Sequence, residues 1–182
     1  TWIVEELDDR DRVALARRAD PAYYTQPQSV AGVRILHTNR SRPLGLGTVH
    51  VGTVELSSRV VGYLRRDAEN GAVWDSTPLD FPERRMTTRA TWWTLTDEVL
   101  ADLAVDAAAL PGGVHGAEHT AIGLLPALVP CDRWDIGGLS TVRHPDTGVA
   151  TVFVHDGLPG GSGFAELGYD VAERWWGSTL DR

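Results

Sequence analysis

The chain has 182 residues, with 17 basic side chains against 25 acidic ones and a formal net charge of −8. That balance argues against a free-standing nucleic-acid binder, which needs basic charge facing phosphate. No apolar run reaches bilayer length, no signal peptide opens the chain, and a single cysteine excludes an internal disulfide framework; a cytoplasmic location without membrane contact is the expectation.

Trp2 to Leu7 alternates apolar and polar residues and predicts a strand, followed by a turn at Asp8-Asp9; Arg12 to Arg18 reads as a second strand, with a short helix as the alternative. Tyr23-Tyr24 read as a packed edge of the core, with base stacking the less favoured use. Val30 to Thr38 predicts a strand. The stretch from Asn39 through Gly47 then reads as a loop carrying Arg40 and Arg42, either a solvated hairpin tip or a phosphate contact. Thr48 to Leu56 and Arg59 to Asp67 predict two strands with a bend at Ser57-Ser58. Glu69-Asn70-Gly71 is turn chemistry, Ala72 to Trp74 a short return strand, and Met86 to Leu95 the last strand of this half. A helix is expected from Thr96, which can cap it, to about Ala109, ended by Pro111-Gly112-Gly113.

The chemistry-bearing residues lie between His115 and Glu166. His115, Glu118 and His119 fall in a helical segment, with Pro126 and Pro130 kinking or stopping its end. The two imidazoles are one turn apart with the carboxylate between them, the pattern of an inverted zincin. Without a third protein ligand in view, the favoured reading is a helix end whose side chains bond to neighbouring backbone; the alternative is a zinc site on His115 and His119. Asp132 and Asp135 flank Arg133, which suggests a corner pinned by acid–arginine pairing, or an arginine held ready for phosphate. Leu139 to His144 and Val149 to Asp156 predict a hairpin turning at Pro145–Gly148. The glycine-rich run Asp156 to Gly163 then leads into a helix from Phe164, with Ser162 as the expected N-cap. Such a run can cradle an anion, but it is neither a Walker A nor a dinucleotide fingerprint, so it reads first as a tight strand-to-helix turn. Trp175 and Trp176 read as packing, or as surface left bare by a truncation.

Taken in order, these blocks resemble one family: His115-x-x-Glu118-His119, then Gly-Leu-Leu-Pro126, Cys131-Asp132-Arg133-x-Asp135-Ile-Gly137-Gly138, and Asp156-Gly-x-Pro159-Gly160-Gly161-x-Gly163-Phe164-x-Glu166. Tyr23-Tyr24-Thr25 and Val60-Val61-Gly62-Tyr63 extend the likeness over most of the chain. The family is the C-terminal zinc-binding, mitomycin-repair-type domain of bacterial and archaeal DEAD/DEAH-box superfamily 2 helicases. The resemblance implies an accessory domain that helps enclose or guide single-stranded DNA beside the motor domains of the same chain. It implies ATP and magnesium in the parent protein, and a structural zinc held by four cysteines beyond Arg182, so that this fragment ends just before the metal site. The chain itself has no Walker A motif and no DEAD/DEAH box, so no catalytic residue, cofactor or metal is expected in it. Arg40, Arg42, Arg133 and Arg143 are the candidate DNA contacts. The rival readings are a zinc hydrolase on His115, Glu118 and His119, and a structural protein-docking module.

The expected fold is α+β: a mostly antiparallel sheet, possibly rolled toward a barrel, over residues 1–95, then helices with a hairpin at 139–156. The whole is expected to act as one accessory domain.

Overall fold

The computed structural model of the chain describes residues 1–8 and 10–180, so Asp9 of the first expected turn lies outside the described residues. The chain divides into two compact units, Thr1–Val30 with Arg59–Glu83, and Ala31–Ser58 with Arg84–Arg182.

In the first unit, β1 (Trp2–Asp8) and β2 (Val13–Arg18) form an antiparallel hairpin with a bulge between Val4 and Glu6. The outer part of β4 (Gly47–Asp67) pairs antiparallel with β5 (Val73–Pro78), Gly62 opposite Pro78 and Arg66 opposite Val73. Asp67 closes the turn between them, its carboxylate accepting the backbone N–H groups of Glu69 and Asn70. The Tyr23 ring tilts against Trp74 at 5.7 Å and the Arg65 guanidinium lies over it, while Tyr24 remains exposed.

The second unit holds β6 (Arg84–Leu95), β7 (Ile136–Thr141), β8 (Ala150–Asp156) and the parts of β3 (Tyr23–Leu44) and β4 between Ala31 and Ser58, in an open antiparallel sheet. Its order runs β3, β4, β6, β8, β7. This is the sheet-rich α+β fold the sequence predicts, but the sheet keeps two edges and does not close into a barrel. Strand alternation sends side chains to both faces. Val49, Val51, Trp93, Val152 and Val154 join one cluster; Val54, Ala90, Trp92 and Phe153 join the other. The first face is covered by α2 (Leu110–Leu124) and α4 (Ala172–Leu180), joined through α3 (Phe164–Asp170).

The hairpin expected at 139–156 is present, with Ile136 opposite Asp156 and Thr141 opposite Thr151. Its turn runs through Pro145–Gly148, closed by the Gly148 N–H on the His144 carbonyl and the His144 N–H on the Val149 carbonyl.

Three expectations are corrected. The loop expected at 39–47 shrinks to a turn at Gly45-Leu46: β3 continues through Pro43 to Leu44, which an edge strand permits because proline there need not donate to a neighbour. Ser57-Ser58 do not break β4, since both pair with β6. The helix expected to reach Ala109 is α1 (Asp97–Asp102) alone, capped by the Thr96 hydroxyl as expected. Pro111 does not end a helix but starts α2, in the first turn where its missing N–H has no partner to lose.

Candidate functional site

The residues of the ordered motifs gather around β7, β8 and the helices packed on them. The organising group is Asp156 at the end of β8, fully buried. Its Oδ2 accepts the backbone N–H of Ser162 at 2.6 Å and of Gly163 at 2.8 Å, and its Oδ1 accepts that of Ala165 at 2.8 Å. The glycine run from Gly157 to Gly163 is thus wound around an internal carboxylate that sits where a bound anion would sit. Ser162 is not the N-cap of α3; Gly163 holds that position at φ 87° with no side-chain cap, and Asp156 does the capping from a distance in sequence. Gly161 packs so closely on Arg89 that an added Cβ would lie 2.2 Å from Arg89 Cγ. Arg89 in turn pairs with Glu166 at 3.0 Å, and Thr88 donates to the carbonyl of Leu158 next to Pro159. Gly160 hangs on the Thr87 carbonyl, and the half-buried Phe164 packs against the main core.

Gly137 and Gly138 on β7 serve close approach. A Cβ at Gly138 would lie 2.7 Å from Ile122 Cδ1 and 2.8 Å from Glu118 Cγ, so its absence lets α2 rest directly on the strand. A Cβ at Gly137 would meet the His155 ring at 2.7 Å.

Before β7 the chain turns a corner. The Asp135 carboxylate accepts the Asp132 N–H at 2.7 Å, the Asp132 carboxylate accepts the Trp134 N–H, and the Asp135 carbonyl accepts the Gly157 N–H. The corner is therefore not pinned by the expected acid–arginine pairing: both carboxylates cap backbone, and Arg133 makes no ion pair among the described residues. Beside it, Trp134 is 88% exposed. Cys131, at the start of the corner, packs half-buried on the core; burial first, then the charges of Asp135, Asp156 and Asp132, push its thiol up, so it stays protonated at neutral pH.

The other candidate arginines are engaged within the protein. Arg40 pairs with Asp170 at 2.9 Å and its guanidinium lies 4.6 Å from the centre of the Tyr169 ring. Arg42 pairs with Glu173 at 2.8 Å and donates to the Tyr169 carbonyl. Arg143, on the hairpin turn, bonds Asp97 at 2.6 Å and the Gly148 carbonyl at 2.8 Å.

On α2, His115, Glu118 and His119 come together with one donor atom from each within 4.8 Å of the others. Both histidines are exposed and Glu118 is 7% exposed. The Ser140 hydroxyl of β7 donates to Glu118 Oε2 at 2.7 Å. Helix and hairpin are thus joined by a polar bond above the Gly138 contact.

Burial holds the His155 imidazole below its ordinary 6.5; its hydrogen bond to the Asp156 carbonyl and the charges of Asp156 and Glu118 oppose that shift without cancelling it. Burial lowers His50 in the same way. The unfolded chain then takes up protons near pH 6.5 that the folded chain refuses. The stability contribution is complete above that pH and is lost as pH falls toward the folded values. The thermal unfolding midpoint should therefore drop between pH 7 and pH 5.5, and drop less in His155→Gln. Equal drops in the two proteins would show that His155 does not carry the effect.

Fold and motif order together define a class: a sheet-rich α+β domain whose helix α2 lies on a terminal hairpin and whose glycine loop is capped by a buried aspartate. Residues 117–182 match the family model of the MrfA Zn-binding domain, so the resemblance to the C-terminal zinc-binding domain of helicases is shown for this part of the chain. An uncharacterized ATP-dependent helicase YprA of Bacillus subtilis (strain 168) is 26% identical over 165 residues, 90% of this chain and 21% of that protein. An uncharacterized protein of Methanocaldococcus jannaschii is 34% identical over 71 residues, 37% of this chain and 63% of that one. The crystal structure of the DUF1998 helicase MrfA bound to DNA superposes with a TM-score of 0.74 at 24% identity, over 95% of this chain and 23% of that chain. MrfA bound to DNA and AMPPNP gives 0.64 at 22% identity, over 99% and 21%. The chain thus spans about a fifth of the helicases it matches.

The family's name implies zinc, and a four-cysteine site does not fit these residues. The sequence holds one cysteine, Cys131, and a tetrahedral sulfur site needs four. Cys131 is no part of a tetrahedral sulfur site in this chain.

Proposed function

We propose that residues 1–182 form an accessory domain of an ATP-dependent DNA helicase that acts in DNA repair, where the domain helps hold single-stranded DNA beside the motor domains. Likeness to YprA and MrfA supports the helicase context; ATP, magnesium and the cysteine-bound zinc belong to the rest of that protein. The observation that carries the DNA contact is the corner before β7. Trp134 is 88% exposed, and Arg133 beside it has no ion-pair partner among the described residues. An exposed indole offers a stacking platform to any base, and a free guanidinium reaches phosphate. Arg40, Arg42 and Arg143 are weaker candidates, because each must first leave a carboxylate.

With a net charge of −8, the isolated chain should bind single-stranded DNA weakly, since its overall field repels a polyanion. In the full-length protein, tethering brings the corner to a strand already held. There, Trp134→Ala should weaken single-strand binding roughly tenfold, as loss of one stacked base costs about 1–3 kcal/mol. Arg133→Ala should reduce the salt slope by about one counterion. Equilibrium binding over a salt series measures both. Affinity and slope unchanged in the double variant, with no crosslink between this chain and bound DNA, would instead assign the domain to protein docking.

A further inference from the structure

We propose that His115 and His119 bind one divalent ion, zinc or a similar borderline ion such as cobalt, with Glu118 orienting His115, at a site separate from any cysteine site of the helicase. The sequence alone favoured bonds to neighbouring backbone; the structure instead turns the three side chains onto one another. His115 Nε2 and His119 Nε2 face each other at 3.1 Å. Two nitrogens bound to one tetrahedral ion at about 2.0–2.1 Å stand about 3.3 Å apart. The rings meet edge to face, 87° apart, so both can aim a lone pair at a shared point.

The tautomer follows from the neighbours. His115 Nδ1 lies 3.3 Å from Glu118 Oε2, a carboxylate oxygen that can only accept, so Nδ1 carries the proton and Nε2 keeps its lone pair. Ser140 donates to the same oxygen at 2.7 Å. This is the arrangement of a metal-binding imidazole held by a carboxylate that is itself held by a hydroxyl. Charge points the same way. Glu118 is 7% exposed, and among the described ion pairs its partner is His115 alone, with no arginine in reach. A buried carboxylate without a permanent countercharge is costly, and a cation between the imidazoles supplies one. Helix spacing makes the site possible, since residues 115, 118 and 119 share one side of α2. Glu118 holds His115 rather than the ion, so water fills the two tetrahedral positions that the exposed imidazoles leave.

The test uses the 182-residue chain, stripped of metal and titrated with cobalt(II), followed by ligand-field absorption, with zinc added as competitor. One cobalt ion per chain is expected, displaced by one zinc. His115→Ala and His119→Ala should each abolish the band; both side chains are exposed, and circular dichroism with His119→Gln checks that the fold is kept. Ser140→Ala should weaken binding about tenfold through the orientation of Glu118. Cys131→Ser should leave the titration unchanged. The proposal is overturned if no saturable band forms, if binding survives both histidine changes, or if Cys131→Ser alone removes it.

Discussion

Asp156→Ala is expected to destabilise the protein by at least about 3 kcal/mol. The substitution leaves three backbone N–H groups, those of Ser162, Gly163 and Ala165, without their acceptor in a closed interior. Each orphaned donor costs about 1–3 kcal/mol. Asp156→Asn should cost less, because one carbonyl oxygen remains, yet its amide group must point a donor at another donor. Urea unfolding followed by tryptophan fluorescence measures both. An alanine variant within about 1 kcal/mol of the parent would mean that the loop finds other acceptors. The same bonds bear on function. The amides of a glycine-rich loop before a helix would otherwise suit a phosphate, and here they are already satisfied by the protein's own carboxylate.

Much of this fold can be read from the residues, and the misses have local causes. The 139–156 hairpin follows from β-branched runs around Pro145-Asp-Thr-Gly148, where local chemistry and pairing agree. The segment 39–47 misleads because Pro43 looks like loop, whereas an edge strand tolerates it; only Gly45-Leu46 is the turn, with Gly45 at φ 56°. Pro111-Gly-Gly misleads because the same residues suit the end of one helix or the start of the next, and packing of Val114, Ala121 and Ile122 on the sheet decides for the start. Long-range partners are what sequence spacing hides. Asp156 was legible as a strand end before a glycine run, but its bonds to residues 162–165 depend on the loop folding back. Arg40 and Arg42 meet Asp170 and Glu173 across about 130 positions, and no local pattern announces that. Trp134 does carry a local signal: a lone indole between Arg133 and Asp135, in a turn with no apolar neighbour on either side, has nowhere to be buried.

Trp175→Ala is expected to be the most damaging single truncation in α4, lowering stability by about 3–5 kcal/mol. Trp175 is 0% exposed, and its ring fills the space over Gly168, where an added Cβ would stand 2.8 Å from Cζ3. Its Nε1–H donates to the Ala121 carbonyl at 2.8 Å, tying α4 to α2. Removing it therefore opens a cavity between α2, α3 and α4 and deletes that bond at once. Trp176 offers an internal control. It is as deeply buried, stacked on Trp93 at 5.7 Å, but its Nε1 has no hydrogen-bond partner among the described residues. Trp176→Phe removes an unpaired donor and keeps an aromatic ring, so it should cost less than Trp175→Phe, which breaks a bond and leaves a smaller ring over Gly168. Unfolding free energies of the three variants decide the matter. If Trp175→Phe proves the cheaper of the two phenylalanine changes, the Ala121 bond contributes nothing to holding α4. If Trp175→Ala costs under about 1 kcal/mol, the ring adds little to the stability of this core and α4 is not the helix that closes it.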